Sequence, residues 1–500
     1  MHFSFELVEQ LPALAWCVEM HVGESHVKVV HGVGVDCHDR IFFEGCWDGD
    51  LTAEALRDAG ICAATGAGIF QDKVVLVTPT NTLVRLYAIR KGKRLWFSNS
   101  MAFVVISAEE ALDENYIYYQ EDISSVIEGL NKSVKSIPLQ SGLNIDFYFH
   151  CNIEVTEKLE VQASEKANPP DFKNFSDYRR FLSDGLAGLV SNANLPGRKM
   201  QFRPLVSISR GYDSVTCAVL GKEVGCTEAV TMFDPESDAP DADNGSDIAK
   251  SIGLNVTTYS RVAYKELSAE CEFFAVGTGG EDIFFASMEN MLSGRIFISG
   301  FHGDKVWDKH PEKISDQIVR GDPSGADLEE FRLRVGFIHV AVPFFGCRSH
   351  SEIVRISQSP EMAQWSIGGD YDRPICRRIA EEAGISRSSF GQKKRVMSRS
   401  FGQRGLEWYF GKDSLRSFQD YLSRQDQPWR GADIAMNYLA CTTNNLASTA
   451  GRVSYRLEKA IRKLTTPLRR YQQALDNTRK MFPWAFEKLL GRYRAALIQR

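Results

Sequence analysis

Two hydrophobic rhythms divide the chain. From Met1 to about Val155 apolar residues come in short alternating runs, Val27 to Val35, Lys73 to Thr78, Leu83 to Ile89 and Leu95 to Phe97, separated by glycines and polar turns. Alternation with a period of two predicts strands, and tight polar breaks between them predict antiparallel neighbours with few helices. The stretch from Lys158 to Pro170 turns polar and ends in Ala167-Asn168-Pro169-Pro170, which predicts a linker. Beyond it the rhythm changes. Tyr178, Phe181, Leu182, Leu186, Leu189 and Val190 recur at helical spacing from Asn174 to Asn192. Buried strands at Leu205 to Ile208, Glu228 to Phe233, Val256 to Tyr259 and Arg295 to Ser299 then alternate with helical segments. Strands alternating with helices imply crossover connections and a parallel sheet, so this half is read as a doubly wound α/β domain. Ligands of such sheets lie at the carboxyl ends of the strands.

Two of those strand ends carry chemistry. Ser207-Ile208-Ser209-Arg210-Gly211-Tyr212-Asp213-Ser214 crowds small and polar residues into a bend before a helix in which Val215, Ala218 and Val219 recur, with Asp213 or Ser214 placed to cap it and Gly225 to end it. Backbone N–H groups at such a helix start suit a phosphate. The second is Ser299-Gly300-Phe301-His302-Gly303-Asp304, after the strand Arg295 to Ser299. A carboxylate at each of two strand ends could share a magnesium ion on a pyrophosphate.

Ser209, Gly211, Asp213 and Ser214 resemble the pyrophosphate-binding loop S-G-G-x-D-S of the ATP pyrophosphatase superfamily, with Arg210 in place of the first glycine. Ser299, Gly300 and Asp304 resemble the corresponding turn of asparagine synthetases and β-lactam synthetases, with Phe301 where those families have Glu or Tyr. The run Thr82 to Ser100 is weakly similar to the N-terminal glutaminase-type domain of asparagine synthetases. The resemblance implies an N-terminal, mostly antiparallel β domain of the Ntn-hydrolase type over residues 1–160. An asparagine-synthetase-like ATP-binding domain would follow over 171–450, with a helical tail over 451–500.

It further implies an ATP-dependent C–N ligase that adenylates a carboxylate or amide oxygen and passes the activated group to an amine or ammonia. In it Ser207, Ser209, Arg210, Gly211, Asp213, Ser214 and Gly300 would hold ATP and its pyrophosphate, and backbone groups around Met232 the adenine. Asp213 and Asp304 would hold Mg²⁺. Lys393, with Lys394 close behind in the basic loop Phe390 to Arg395, would meet transition-state charge, and His302 is a candidate general base. Glutaminases of this type use a cysteine at position 2; here it is His2, so glutamine hydrolysis is not expected. A nucleobase- or tRNA-modifying ATP pyrophosphatase, and a non-catalytic assembly or regulatory protein keeping the fold, are the alternatives. The acyl substrate, a small molecule, peptide or glycan, is not specified by the chain.

Charge and composition narrow this further. A net charge of −5 over 500 residues gives no reason to expect nucleic acid as partner. Eleven cysteines without a C-x-x-C pair predict reduced thiols, a cytoplasmic setting and no structural zinc. No apolar stretch is long enough to span a bilayer. Beyond about Ala450 the balance turns basic, with Leu457, Ile461, Phe482, Trp484, Phe486 and Leu489 interleaved among Lys and Arg and interruptions expected at Pro467 and Pro483. Such a stripe either packs on the body or docks on an anionic membrane surface or acidic partner.

Overall fold

The computed structural model describes residues 1–392 except 115, 117 and 238, then 405–425, four residues between 439 and 446, and 477–498. The N-terminal half is a sandwich of a seven-stranded and a six-stranded sheet. Its pairings are antiparallel, apart from His2–Leu7 running parallel beside His26–His31. Trp16, Val18, Val29, Leu86 and Phe97 from the first sheet meet Phe42, Ala67, Leu76 and Ile153 from the second, which is where alternation sends the apolar faces.

Two boundaries differ from the sequence reading. The stretch read as a linker contributes an edge strand, Val161–Glu165, paired with Cys151–Thr156; its side chains are mostly exposed, so its composition resembles a linker. The strand expected from Leu83 starts instead at Leu86 and runs to Lys91. Leu83 and Val84 are buried before it begins, supplying the apolar residues that extended the pattern.

The second half is built on a five-stranded sheet with every pairing parallel, in the order Asn255–Ser260, Glu228–Phe233, Arg203–Ser207, Arg295–Ser299, Ile338–Ala341. Chain order runs outward in one direction from Arg203–Ser207 and in the other from Arg295–Ser299. The order therefore reverses between these two neighbours, and the crevice at their carboxyl ends is where such a sheet takes a ligand.

The halves share one core. Glu44, on a strand of the sandwich, accepts from both Arg332 Nη1 (2.7 Å) and Nη2 (2.8 Å), and Tyr87 Oη donates to Glu329 at 2.6 Å. All four residues are buried. The helix Asn477–Ile498 closes this core: Phe482, Trp484, Phe486, Leu489 and Tyr493 are buried, Tyr493 stacking on Phe103 and Trp484 meeting Phe410 and Phe418. Pro483 lies inside the helix and does not interrupt it, because the flanking aromatic residues are held by packing. The apolar stripe of this part of the tail thus faces the body; Pro467 and residues 451–476 lie outside the described residues.

Candidate functional site

The strand Arg203–Ser207 ends in a bend that the loop's own serines hold closed. Ser209 Oγ accepts the Gly211 N–H at 3.1 Å, lies 2.9 Å from Ser214 Oγ, and Ser214 Oγ accepts the Ser209 N–H at 3.0 Å. The helix Tyr212–Glu223 starts from Gly211 and has no side-chain cap. Asp213 and Ser214 therefore sit in its first turn, where neither caps it, because Gly211 has already taken the extended conformation of the capping position. An uncapped helix start beside two hydroxyls presents donors and the positive end of the helix dipole to an anion.

Asp213 is gripped from both sides. A Cβ on Gly300 would stand 2.7 Å from Asp213 Cβ, and one on Gly303 2.5 Å from Asp213 Cγ, so only glycine lets the second turn approach this closely. From the other side Arg373 Nη1 donates to both carboxylate oxygens. Arg373 is 2% exposed and sits against the Tyr371 ring, 5.0 Å from its centroid, and Asp213 raises its pKa. Asp304 is paired similarly with Lys305 at 3.1 Å.

These pairs bear on magnesium. The donors are hard carboxylate oxygens, the right kind for that ion, but among the described residues no three His, Cys, Asp or Glu groups converge to hold one. The residues fit an ion that arrives on nucleotide phosphates and takes one or two carboxylates. They do not fit one bound in advance by protein ligands alone.

The loop, the second turn, Arg373 and the 3₁₀ segment Ile283–Met288 enclose a cavity of about 470 Å³. Ser207, Ser209, Gly211, Asp213, Ser214, Met232, Gly300, His302 and Asp304 all line it. Arg210 does not. Its guanidinium points instead to Asp247 at 3.5 Å on the exposed surface, and only its backbone takes part in the loop, accepting the Gly391 N–H at 2.8 Å. Lys393 lies outside the described residues. Apolar Phe284, Phe285, Met288, Val230 and Met232 also line the cavity, side chains suited to contact an aromatic base.

His302 is poorly placed for base chemistry. It adopts a left-handed backbone at φ 73°, stacks on Phe344 with centroids 4.8 Å apart, and leaves Nδ1 buried without a partner. Burial, with Arg320 adding to it, lowers its pKa to about 3, so the ring is neutral near pH 7 and resists taking a proton. Phe301 packs on His339 and Phe285, and His339 Nε2 lies 2.8 Å from Ser299 Oγ.

Sequence reasoning missed Arg373, Lys305 and the acidic group Glu281, Asp282 and Asp322, all of which line the cavity. Arg373 stands one residue before the proline that opens a helix, a signal legible only as a helix start. Comparison with protein-family models and with curated proteins yields no match to this chain.

Proposed function

We propose that this protein is an ATP-dependent adenylate-forming C–N ligase whose parallel-sheet half is a pyrophosphate-loop synthetase domain and whose sandwich is a glutaminase-like domain without its nucleophile. The observation that carries the reading is the convergence of the Ser209–Ser214 bend and the Gly300–Asp304 turn on one cavity, at the point where the strand order reverses.

In this reading Ser209, Gly211 and Ser214 exchange the hydrogen bonds they make among themselves for bonds to the pyrophosphate. Met232 and its strand neighbours receive the adenine. Arg373 and Lys305 are positioned to balance phosphate charge as their aspartates turn to it, and Lys393 remains the proposed cation for the reacting phosphate. Asp213 and Asp304 would hold the magnesium carried in on ATP, which would supply charge neutralisation for the departing pyrophosphate. A substrate carboxylate attacks the α-phosphate, and an amine then displaces AMP.

The sandwich supports a shaping role. His2 opens an edge strand and lies against His26, ring centroids 5.4 Å apart. Burial pushes the Cys17 and Cys37 thiols up to about 12, which keeps them protonated and weak as nucleophiles. Among the described residues no helix is long and apolar enough to cross a membrane.

One observation favours the non-catalytic reading: both candidate metal-binding aspartates already hold cations of the protein. Equilibrium binding of Mg·ATP, followed by ATP–pyrophosphate exchange across a panel of amino acids, peptides and other carboxylic acids, separates the two. The ligase reading expects saturable ATP binding and exchange with at least one class of acid. Absence of Mg·ATP binding at millimolar nucleotide would overturn it.

A further inference from the structure

Part of the cavity wall carries more negative charge than its neighbours balance. Glu281, Asp282 and Asp322 line the cavity, and Asp327 lies behind Asp282. Asp282 is 1% exposed and accepts the Gly325 N–H at 2.5 Å through Oδ2. Its own N–H donates to Asp327 Oδ2 at 3.2 Å, while Asp327 Oδ1 is buried with no hydrogen-bond partner.

The cations beside this group are the buried Arg320 and, at Asp322, Lys305, which is paired with Asp304; the hydrogen bonds of Arg320 go elsewhere. Nη1 donates to the Thr82 carbonyl at 3.3 Å and Nη2 to the Ser324 carbonyl. Burial and the mutual repulsion of these carboxyls raise Asp282 to about 7 and raise Glu281 and Asp327 as well. Buried negative charge of this kind is relieved either by protons or by a cation. A metal ion is disfavoured, since no three such groups among the described residues converge as ligands. An ammonium group carries three N–H donors and holds its acceptors about 2.7–3.2 Å from nitrogen, farther out than the roughly 2.0–2.6 Å at which magnesium or calcium holds oxygen ligands.

We infer that Glu281, Asp282 and Asp322 bind the primary ammonium group of the nucleophile, and that Asp282 takes its proton before the amine attacks the acyl adenylate. The second half rests on the ligase reading above. One N–H proton passes to the Asp282 carboxylate, and the freed lone pair forms the C–N bond at the acyl carbon. The bond from that carbon to the AMP phosphate oxygen breaks, AMP leaving with the electron pair, and the remaining surplus proton on nitrogen goes to solvent. The wall thus selects an amine that arrives charged over neutral alcohols.

The site is tested without nucleotide, by titrating butylammonium and, separately, butanol into the full chain and following saturation-transfer NMR. Butylammonium should bind saturably in the millimolar range, about tenfold or more tighter than butanol. Its affinity should rise several-fold from pH 6 to pH 8 as Asp282 ionises, while the ligand stays charged. Asp282→Asn should weaken binding about tenfold, and Asp322→Asn, at a part-exposed position, should weaken it in the same direction.

Equal binding of butanol, insensitivity to both substitutions, or displacement of butylammonium by submillimolar Mg²⁺ would each overturn the inference. Because the probe needs no nucleotide, loss of ammonium binding with Mg·ATP binding intact defeats this inference alone. Ammonium binding without Mg·ATP binding keeps the site and removes the reaction assigned to it.

Discussion

Two sets of buried carboxylates lie in the same protein and are treated oppositely. At the seam between the halves, Glu44 takes both nitrogens of Arg332 and a hydroxyl from Thr65, and Glu329 takes the Tyr87 hydroxyl with Arg85 beside it. At the cavity wall, Asp282 and Asp327 face one another while Arg320 spends its donors on backbone carbonyls. A buried charge with its partners in place fixes geometry; one without them costs stability and waits for a ligand. The difference separates the seam from the wall proposed above to bind an ammonium group.

The seam gives the largest expected effect. Arg332→Met leaves Glu44 buried without its cation, so stability should fall by about 3–5 kcal/mol in chemical denaturation. A loss below about 1 kcal/mol would put the seam in the same class as the wall.

Asp213→Asn comes next. It should abolish ATP–pyrophosphate exchange, and because it leaves the buried Arg373 without its carboxylate, it should also lower stability by about 1–3 kcal/mol. An unchanged midpoint would show that the Arg373 pair carries little weight.

The pH profile compares both sets at once. Burial raises Asp282 to about 7 and Glu330, which receives the Ser100 and Tyr493 hydroxyls, to about 8. A carboxyl whose folded pKa lies above its unfolded value near 4 is bound to its proton in the fold while the unfolded chain releases it. Stability is therefore fullest below about pH 4 for these groups and is lost as pH rises through 7 to 8. The melting temperature should fall between about pH 6.5 and 8, above the range in which His302 and His339, both lowered to about 3, add stability as pH rises, and Glu330→Gln should flatten that slope. A profile rising over this range in the wild-type protein would reverse the assignment.

Smallest of all is Arg210→Ala. With its side chain at an exposed pair, the change should cost less than about 0.5 kcal/mol and shift ATP affinity by about twofold or less. A larger loss of affinity would return Arg210 to the cavity.

The candidate site was legible where its chemistry is local. The Ser209–Ser214 bend and the Ser299–Asp304 turn each follow a buried strand, and a strand end rich in small and polar residues can be read from a few adjacent positions. What decides the electrostatics was not legible, because Arg373 reaches Asp213 from a distant helix start and Asp282 meets Asp327 from 45 residues away in the chain. Gly300 and Gly303 could be seen as glycines, but their reason is the Asp213 side chain between them. Alternation found the sandwich strands and misjudged Leu83, whose burial belongs to a turn, and Val161–Glu165, whose exposure hid a strand.

The helix Asn477–Ile498 carries one more consequence. It is synthesised after everything it packs against, the helix Met101–Ser107 and the segment Glu270–Phe274 among them. Until it emerges, Phe103 and Phe410 lack the aromatic rings that cover them, so a growing chain holds both halves with a sticky face open to solvent. Assembly therefore runs on a schedule: the two halves can form early, but their shared core is sealed only when these late residues arrive.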